Sequence, residues 1–209
     1  SPNTSATTTT ISIKDLETLE KPARVVSVLQ CAGNRAGEML QRHHEAGGST
    51  RWNNLFEIIG GGMIGNAEWG GVFLGDLLRS AVPGIQELEK KATKEKYHVV
   101  FEGIDGYVAS TPLERVLNKD YKAMLATTMN GRALPPDHGY PIRALLPGIA
   151  GARSVKWLKT IRIVKEESDS PWHKHYYRKS DKSSIQTMPL TSLILTHHLE
   201  PLTTTTPHH

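Results

Sequence analysis

The single cysteine of the chain, Cys31, has the most distinctive chemistry in the sequence. It ends a β-branched run at residues 25–30 and is followed by Gly33 and Arg35. A glycine lets a ligand approach the backbone closely, and a nearby arginine favours the thiolate, the form of cysteine that binds metal. A lone cysteine cannot complete a structural zinc site or an intramolecular disulfide. Cys31 is therefore either a small buried residue at a strand end or the one protein ligand of a metal whose other ligands come from a cofactor.

Two later segments, residues 137–143 and 148–157, are rich in side chains that bind anions. Arg143 and Arg153 carry planar guanidinium forks that suit phosphate or another oxyanion, and Lys156 adds a point charge. Glycines in the second segment allow backbone amides to face a ligand. Glycine-rich basic segments also occur as solvated surface turns. With Cys31, they predict a pocket for a small anion or a phosphate-bearing cofactor.

Other histidines and aromatic residues give weaker signals. His138 could serve as a ligand, an acid or base, or a hydrogen-bonding turn residue. The histidine pairs at 43–44 and 197–198 cannot place both rings on one helical face, so we expect them on the surface. Trp52 and Trp69 are expected in the core. The aromatic, basic segment 172–177 is too short to indicate nucleic-acid binding.

The composition of the chain restricts the class of protein. The 209 residues are 38% hydrophobic and 22% charged, with a formal charge of +4 and a pI near 9.1. This predicts one globular domain of ordinary size. No apolar run approaches the ~20 residues that cross a membrane. The sequence has no long block of lysine and arginine of the kind that suggests nucleic-acid binding. A basic pocket for a small anion also fits the mild positive charge.

The elements that must position these residues follow from local patterns. Asn130-Gly131 is the strongest hairpin signal, and Pro112 is predicted to open a short helix. Residues 65–71 are predicted to form a glycine-framed loop that carries a tryptophan. Further helices are predicted at 38–45 and 74–78, and strands at 25–30, 97–101, 107–110, 124–128, 142–146 and 155–164. Short helices between many strands indicate an α+β domain with a mixed β-sheet.

Taken together, the ordered motifs resemble the molybdopterin-binding (molybdenum-cofactor) domain of the sulfite oxidase family. Each motif alone is weak, but the ordered series is specific and covers roughly residues 12 to 195. The resemblance implies a molybdopterin-binding domain at 11–195, and the threonine-rich, low-complexity ends predict a flexible lead-in at 1–10 and a disordered tail at 196–209. The matching segments are residues 29–35, 64–71, 101–105, 110–113, 129–131, 137–143, 147–158, 166–177 and 188–190.

The resemblance implies roles for individual residues. Cys31 matches the thiolate bound to molybdenum, beside the dithiolene sulfurs of the pterin and oxo groups. Tyr177, Arg35 and Trp52 match residues of the catalytic pocket, Tyr177 as the tyrosine that hydrogen-bonds near the metal. The molybdopterin contacts match Asp105, His138, Arg143, Ser154, Val155 and Lys156, with Arg143 and Lys156 at the anionic phosphate end.

The resemblance also implies a function: oxidation of sulfite to sulfate by oxo transfer at the Cys-ligated molybdenum of a Mo-molybdopterin cofactor. Nitrate reductase-like and sulfoxide reductase-like activities are the alternatives within the family. The expected partners are sulfite and an electron acceptor such as cytochrome c or oxygen, with no nucleic acid and no membrane span. The residues themselves do not specify a compartment, and the resemblance implies the mitochondrial intermembrane space or the cytosol.

Three departures from the family pattern predict a truncated domain. Ala36 stands where the family usually has a second arginine of the substrate pocket. Only 30 residues precede Cys31, so an upstream lobe with pterin contacts is expected to be absent. The dimerisation domain that normally follows, through which the family forms homodimers, is also expected to be absent. A non-catalytic remnant that folds and binds cofactor or partners is therefore an alternative to an active enzyme.

Overall fold

The computed structural model describes residues 9–19, 22–47, 60–92, 96–180 and 187–189. Trp52, most of the predicted lead-in and the predicted tail lie outside the described residues. The strands are β1 Ala23–Gln30, β2 Ile64–Phe73, β3 His98–Gly103, β4 Val108–Pro112, β5 Met124–Met129, β6 Arg132–Ala133, β7 Arg143–Leu145, β8 Leu158–Val164, β9 Arg178–Ser180 and β10 Thr187–Pro189. The helices are α1 Ile13–Leu19, α2 Ala36–Glu45, α3 Leu74–Ala81, α4 Ile85–Ala92 and α5 Leu113–Leu117.

These strands form three sheets. The largest has the order β1-β2-β5-β6, with β7 also paired to β5, the second has the order β4-β3-β8, and β9 pairs with β10. The α+β class predicted from the sequence is confirmed, and each pairing among the described strands is antiparallel. In the described part of the chain, no helix is long and apolar enough to cross a membrane.

The predicted loop at residues 65–71 was wrong, because these residues lie in strand β2. Strand β2 pairs with β1 from Ala23↔Gly71 to Gln30↔Ile64 and with β5 on its other edge. A Cβ atom on Gly71 would collide with the carbonyl oxygen of Leu125 and lie 3.0 Å from the Cα of Ala126. The glycines therefore allow close strand packing at the irregularity between Gly70 and Gly71.

The local predictions elsewhere agree with the structure. The hairpin of β3 and β4 forms as expected, and β5 turns into β6 through Asn130 and Gly131, whose φ angles are 51° and 73°. Both positive φ values fit a two-residue hairpin turn. Helix α5 begins directly after Pro112 and buries Leu113, Val116 and Leu117. Helices α1 and α4 were not predicted.

The core consists of two apolar clusters. One lies between the β3–β4–β8 sheet and helices α3 to α5, with Phe101 and Leu113 fully buried. The other lies on the largest sheet and contains Trp69 and Met124, which confirms the expected core position of Trp69. Packing on both sheets fixes the end of β1, where Cys31 follows.

Candidate cofactor site

The turn that carries Cys31 is held by main-chain hydrogen bonds. The Cys31 N–H donates to the Met63 carbonyl at 2.9 Å, and the Asn34 N–H donates to the Cys31 carbonyl at 3.0 Å. The Gly33 N–H lies 3.4 Å from the Cys31 Sγ. The thiol is partly exposed and forms no disulfide. Cys31 is therefore held rigidly at the end of the sheet while its sulfur remains accessible.

A second turn, Gly151–Arg153, packs against the residue before Cys31. A Cβ atom on Gly151 would lie 3.2 Å from the Gln30 carbonyl oxygen. The Arg153 side chain at the end of this turn is only 1% exposed. Its Nη2 donates to the Tyr177 carbonyl at 2.7 Å. The turn therefore joins the end of β1 to the segment that carries Tyr177.

Two tyrosines complete this group. The Tyr107 hydroxyl donates to the Ala152 carbonyl at 3.0 Å. Burial, followed by the charges of Tyr177, Asp105 and Cys31, raises the pKa of Tyr107 to about 12, although Arg153 opposes the shift. Burial, followed by the charge of Cys31, also raises the pKa of Tyr177, again against Arg153. The Gly151–Arg153 turn thus contacts Gln30, Tyr107 and Tyr177, and the four residues that it brings together are called here the Cys31 cluster: Cys31, Tyr107, Arg153 and Tyr177.

The Cys31 cluster fits an anionic, metal-bearing group. Arg153 keeps its Nε and Nη1 donors buried without a hydrogen-bond partner among the described residues, and most buried polar groups in proteins have one. An anionic group would satisfy these donors with charge-assisted bonds. Among the described residues, no three His, Cys, Asp or Glu side chains form a metal site. A metal bound to Cys31 would therefore need ligands supplied by its own cofactor, and a thiolate suits a sulfur-rich metal centre.

Arg143 lies apart from this cluster and has a different environment. It is 3% exposed and donates to the carbonyls of His138 and Ser154, both at 2.9 Å. Its guanidinium lies 5.2 Å from the centre of the Trp69 ring, and burial lowers its pKa to about 10. These contacts connect the two loops that were predicted to bind an anion.

The other predicted molybdopterin contacts surround those loops. Lys156 Nζ donates to the Asp137 carbonyl at 2.9 Å, and the His138 side chain is exposed. Ser154 and Val155 are buried: the Ser154 Oγ accepts from the Leu146 N–H at 3.0 Å, and the Val155 carbonyl accepts from the Ala144 N–H at 2.9 Å. Lys156 and His138 are therefore the members of this set with side chains presented at the surface.

Asp105 and Arg35 each lie near a member of the Cys31 cluster in sequence: Asp105 two residues before Tyr107 and Arg35 four residues after Cys31. The Asp105 Oδ1 accepts from the Tyr107 N–H at 3.1 Å and so fixes the turn before Tyr107. Arg35 precedes α2 with a φ of 63°, and its Nε donates to the Glu38 carboxylate at 2.9 Å. The Glu38 hydrogen bond raises the pKa of Arg35. Arg35 is thus a charged, carboxylate-paired residue four positions after Cys31.

The sequence did not single out Tyr107, His173 or Glu167 as site residues. Tyr107 was seen only as the start of a predicted strand, and its contact with the turn at Ala152 is 45 residues away in sequence. His173 is 1% exposed and its Nε2 lies 3.0 Å from the Glu167 carboxylate. In the sequence, this pair is visible only as a glutamate six residues before a histidine. That spacing is too common to predict a contact without the fold.

The chain is similar to proteins of a known family. The model of the family described as "Oxidoreductase molybdopterin binding domain" matches residues 3–172. Mitochondrial sulfite oxidase of Drosophila melanogaster is 37% identical over 205 residues, which cover 90% of this chain and 33% of that protein. The NADPH nitrate reductase of Beauveria bassiana is 38% identical over 169 residues, covering 78% and 17%.

A solved structure gives the same relationship. The sulfane dehydrogenase SoxCD of Paracoccus pantotrophus superposes with a TM-score of 0.62 at 27% identity, over 88% of this chain and 41% of that chain. The present chain spans about a third of the length of the sulfite oxidases that it matches. The family match at residues 3–172 includes Cys31, Tyr107, Arg153 and the two loops that were predicted to bind an anion, and Tyr177 lies five residues beyond its end.

Proposed function

Because the chain belongs to the oxidoreductase molybdopterin-binding domain family, we propose that it binds a molybdenum–molybdopterin cofactor through Cys31 and oxidises sulfite to sulfate. The observation that supports this most strongly is the buried Arg153, with two unpartnered donors in the same cluster as the accessible Cys31 thiol. Such a combination offers one soft metal ligand and a fixed positive charge for an anionic group.

The residues of this chain would divide the work between the two ends of the cofactor. Cys31 would hold the metal, because its turn is fixed to β1 and Met63. Lys156 and the exposed His138 would face the phosphate end, and Arg143 would hold both of their loops through the carbonyls of His138 and Ser154. Positioning by residues on rigid elements is what a cofactor-dependent enzyme contributes to its reaction.

The bound cofactor would supply two-electron oxygen transfer to sulfite, with water as the oxygen source and two electrons passed singly to an acceptor. Tyr177 would orient the oxyanion next to Cys31, and the two unpartnered donors of Arg153 would bind the anionic cofactor there. Burial raises the pKa of Tyr177, so its phenol remains a hydrogen-bond donor at neutral pH. Arg153 adds a charge that the low-dielectric interior screens weakly. Arg35 and Trp52 are proposed as further pocket residues.

The first test measures molybdenum in the purified chain and in its Cys31→Ser variant, expressed in a host that makes the cofactor. We expect near-stoichiometric metal and sulfite-dependent reduction of ferricyanide or cytochrome c in the parent, and a large loss of both in the variant. A parent protein without molybdenum would refute the cofactor proposal for this chain. Molybdenum without sulfite turnover would leave the cofactor proposal standing and overturn the proposed reaction.

Nitrate reduction is the second candidate, because the nitrate reductase of Beauveria bassiana matches this chain at 38% identity. The same preparation should be assayed with nitrate and a reduced dye. Nitrate turnover in the absence of sulfite turnover would assign the chain to the nitrate reductase branch.

We further propose a mitochondrial location and a cytochrome-type acceptor, on the basis of the similarity to mitochondrial sulfite oxidases. The test is fractionation of cells that express the full-length gene product. Recovery in the cytosol would contradict this location.

A further inference from the structure

Tyr177 follows a single π-helical turn, Trp172–Tyr176, which is docked on strand β4. The Ser170 Oγ donates to the Val108 carbonyl at 2.7 Å, and the Ser168 N–H donates to the Ser110 Oγ at 2.8 Å. Both acceptors belong to β4, which lies in the core sheet. The position of Tyr177 therefore depends on how this short turn is attached to the sheet.

His173 is the buried attachment point inside the turn. Its side chain is 1% exposed, and its Nε2 lies 3.0 Å from the Glu167 Oε2. On the other side of the ring, the Ser110 N–H points to Nδ1 at 3.5 Å. Only the neutral tautomer with hydrogen on Nε2 can donate to the carboxylate and accept from the main-chain N–H at the same time. The Ser110 Oγ also lies 3.5 Å from Nε2, and the set of contacts matches a neutral ring.

Glu167 connects His173 to the residue that follows Tyr177. While its Oε2 faces His173, its Oε1 accepts from the Arg178 Nη2 at 3.0 Å. Arg178 also donates to the His173 carbonyl at 3.4 Å. One carboxylate thus links the chain on both sides of Tyr177.

We propose that His173, acting with Glu167, is a positioning residue that docks the Trp172–Tyr176 turn on β4 and holds Tyr177 at the Cys31 cluster only while its ring is neutral. The assignment of Tyr177 to catalysis rests on the proposed function, but the docking of the turn does not. Protonation would place a hydrogen on Nδ1, directly opposite the Ser110 N–H. The ring would then lose its acceptor contact with β4 and leave the turn attached only through the Ser168 and Ser170 hydrogen bonds, so acid would loosen the turn.

The charged groups around the ring agree with a neutral state near pH 7. Burial lowers the pKa of His173 most strongly, and the cations Arg153 and Arg178 lower it further, although Glu167 acts in the opposite direction. Arg153 comes from the Gly151–Arg153 turn and Arg178 from β9, so cations face His173 from two different elements. This loosening should therefore occur on the acid side of the usual histidine range.

The test is amide hydrogen exchange, followed by mass spectrometry, in the segment 172–178 of the cofactor-free chain at about pH 7.5 and at an acidic pH of about 5. His173→Gln keeps an amide donor for Glu167 and an acceptor for Ser110, but it cannot titrate. His173→Leu keeps the volume and loses both contacts. His175→Gln is the matched control, because His175 lies on the same turn and is exposed.

We expect the parent, the His173→Gln variant and the control to protect this segment equally at the higher pH. At the lower pH, the parent and the control should exchange about tenfold faster than His173→Gln, whereas His173→Leu should exchange fast at both values. Equal exchange of the parent and His173→Gln at both pH values would overturn the proposal. So would full protection in His173→Leu, which would show that the contacts do not hold the turn.

A second readout uses the loaded enzyme. His173→Gln should move the acid limb of the kcat/KM profile for sulfite to lower pH, and a merely structural residue would not do so. Absence of sulfite turnover in the parent would contradict the proposed function, and the exchange data would still decide whether His173 holds the turn.

Discussion

The substitution Arg153→Met separates the role of Arg153 in folding from its role in binding. Methionine fills most of the same volume and removes the charge and all of the guanidinium donors. In the cofactor-free chain, the variant loses the 2.7 Å bond to the Tyr177 carbonyl, and a hydrogen bond to a charged group contributes about 1.5–3 kcal/mol. It also removes a buried charge with two unpartnered donors, and since a buried donor without a partner costs about 1–3 kcal/mol, this removal is stabilising.

These two terms nearly cancel, so the free energy of unfolding of the cofactor-free variant should lie within about 1–2 kcal/mol of the parent value. The loaded protein should behave differently, since an anionic group would accept from the two remaining donors. One charge-assisted bond of about 1.5–3 kcal/mol corresponds to a loss of about 10- to 150-fold in affinity. Stability and cofactor content should therefore respond to the same substitution by very different amounts.

The assay is urea unfolding of the cofactor-free protein combined with molybdenum content of the protein purified from a cofactor-producing host. Arg115→Met is the control, because Arg115 is less buried than Arg153, also has one buried unpartnered donor, its Nε, and contacts the Tyr121 ring and the Gly148 carbonyl instead of the Cys31 cluster. The control should retain its molybdenum. If Arg153→Met destabilised the cofactor-free chain by several kcal/mol and left the metal content unchanged, Arg153 would be a purely structural residue and the reasoning would be refuted.

Three further predictions address the fold and the pocket. Gly71→Ala should lower the free energy of unfolding by about 1–3 kcal/mol in urea titrations, because its Cβ would collide with the main chain of β5. Gly65→Ala, in the same strand but with open space around its Cα, should cost less than ~1 kcal/mol, and equal losses would contradict this explanation. Ala36→Arg should raise kcat/KM for sulfite by about tenfold through a new charge-assisted contact, while Ala46→Arg at the far end of α2 should have no effect. An unchanged kcat/KM in Ala36→Arg, or the same increase in both variants, would argue against a missing pocket charge. Burial lowers the pKa of His98 from its usual value of 6.5. The stability that comes from this neutral histidine is therefore complete above about pH 6.5 and is lost as the pH falls toward the lower folded-state pKa. His98→Gln should flatten the plot of urea midpoint against pH in this range, and an unaltered slope would contradict the prediction.

Elements specified by nearby residues could be predicted from the sequence. The hairpin at Asn130-Gly131 requires positive φ angles at two adjacent positions, and asparagine and glycine are the residues that adopt them most readily. Strand β2 could not be recognised in the same way. Its glycines resemble a loop locally, and their reason is the close approach of β5, which is a property of the tertiary structure.

The candidate site shows the same division between local and long-range information. The sequence identified Cys31 as the unusual thiol, because its uniqueness and its position at a strand end are visible in the residues themselves. Tyr107 and His173 acquire their significance from contacts with Ala152 and Ser110, which are 45 and 63 residues away. No pattern of neighbouring residues encodes those contacts.

Arg143 and Arg153 show why residue type alone could not assign the anion-binding group. Both belong to glycine-containing segments, so residue type predicted both as oxyanion ligands, and the structure shows that both are buried. Arg143 donates to the carbonyls of His138 and Ser154, and a guanidinium paired in this way mainly holds the two loops together. Arg153 has one such bond and two unpartnered donors, a state that costs free energy in the cofactor-free chain. A bound anion would remove that cost, so the part of the fold that is least favourable without a ligand is the part best prepared to bind one.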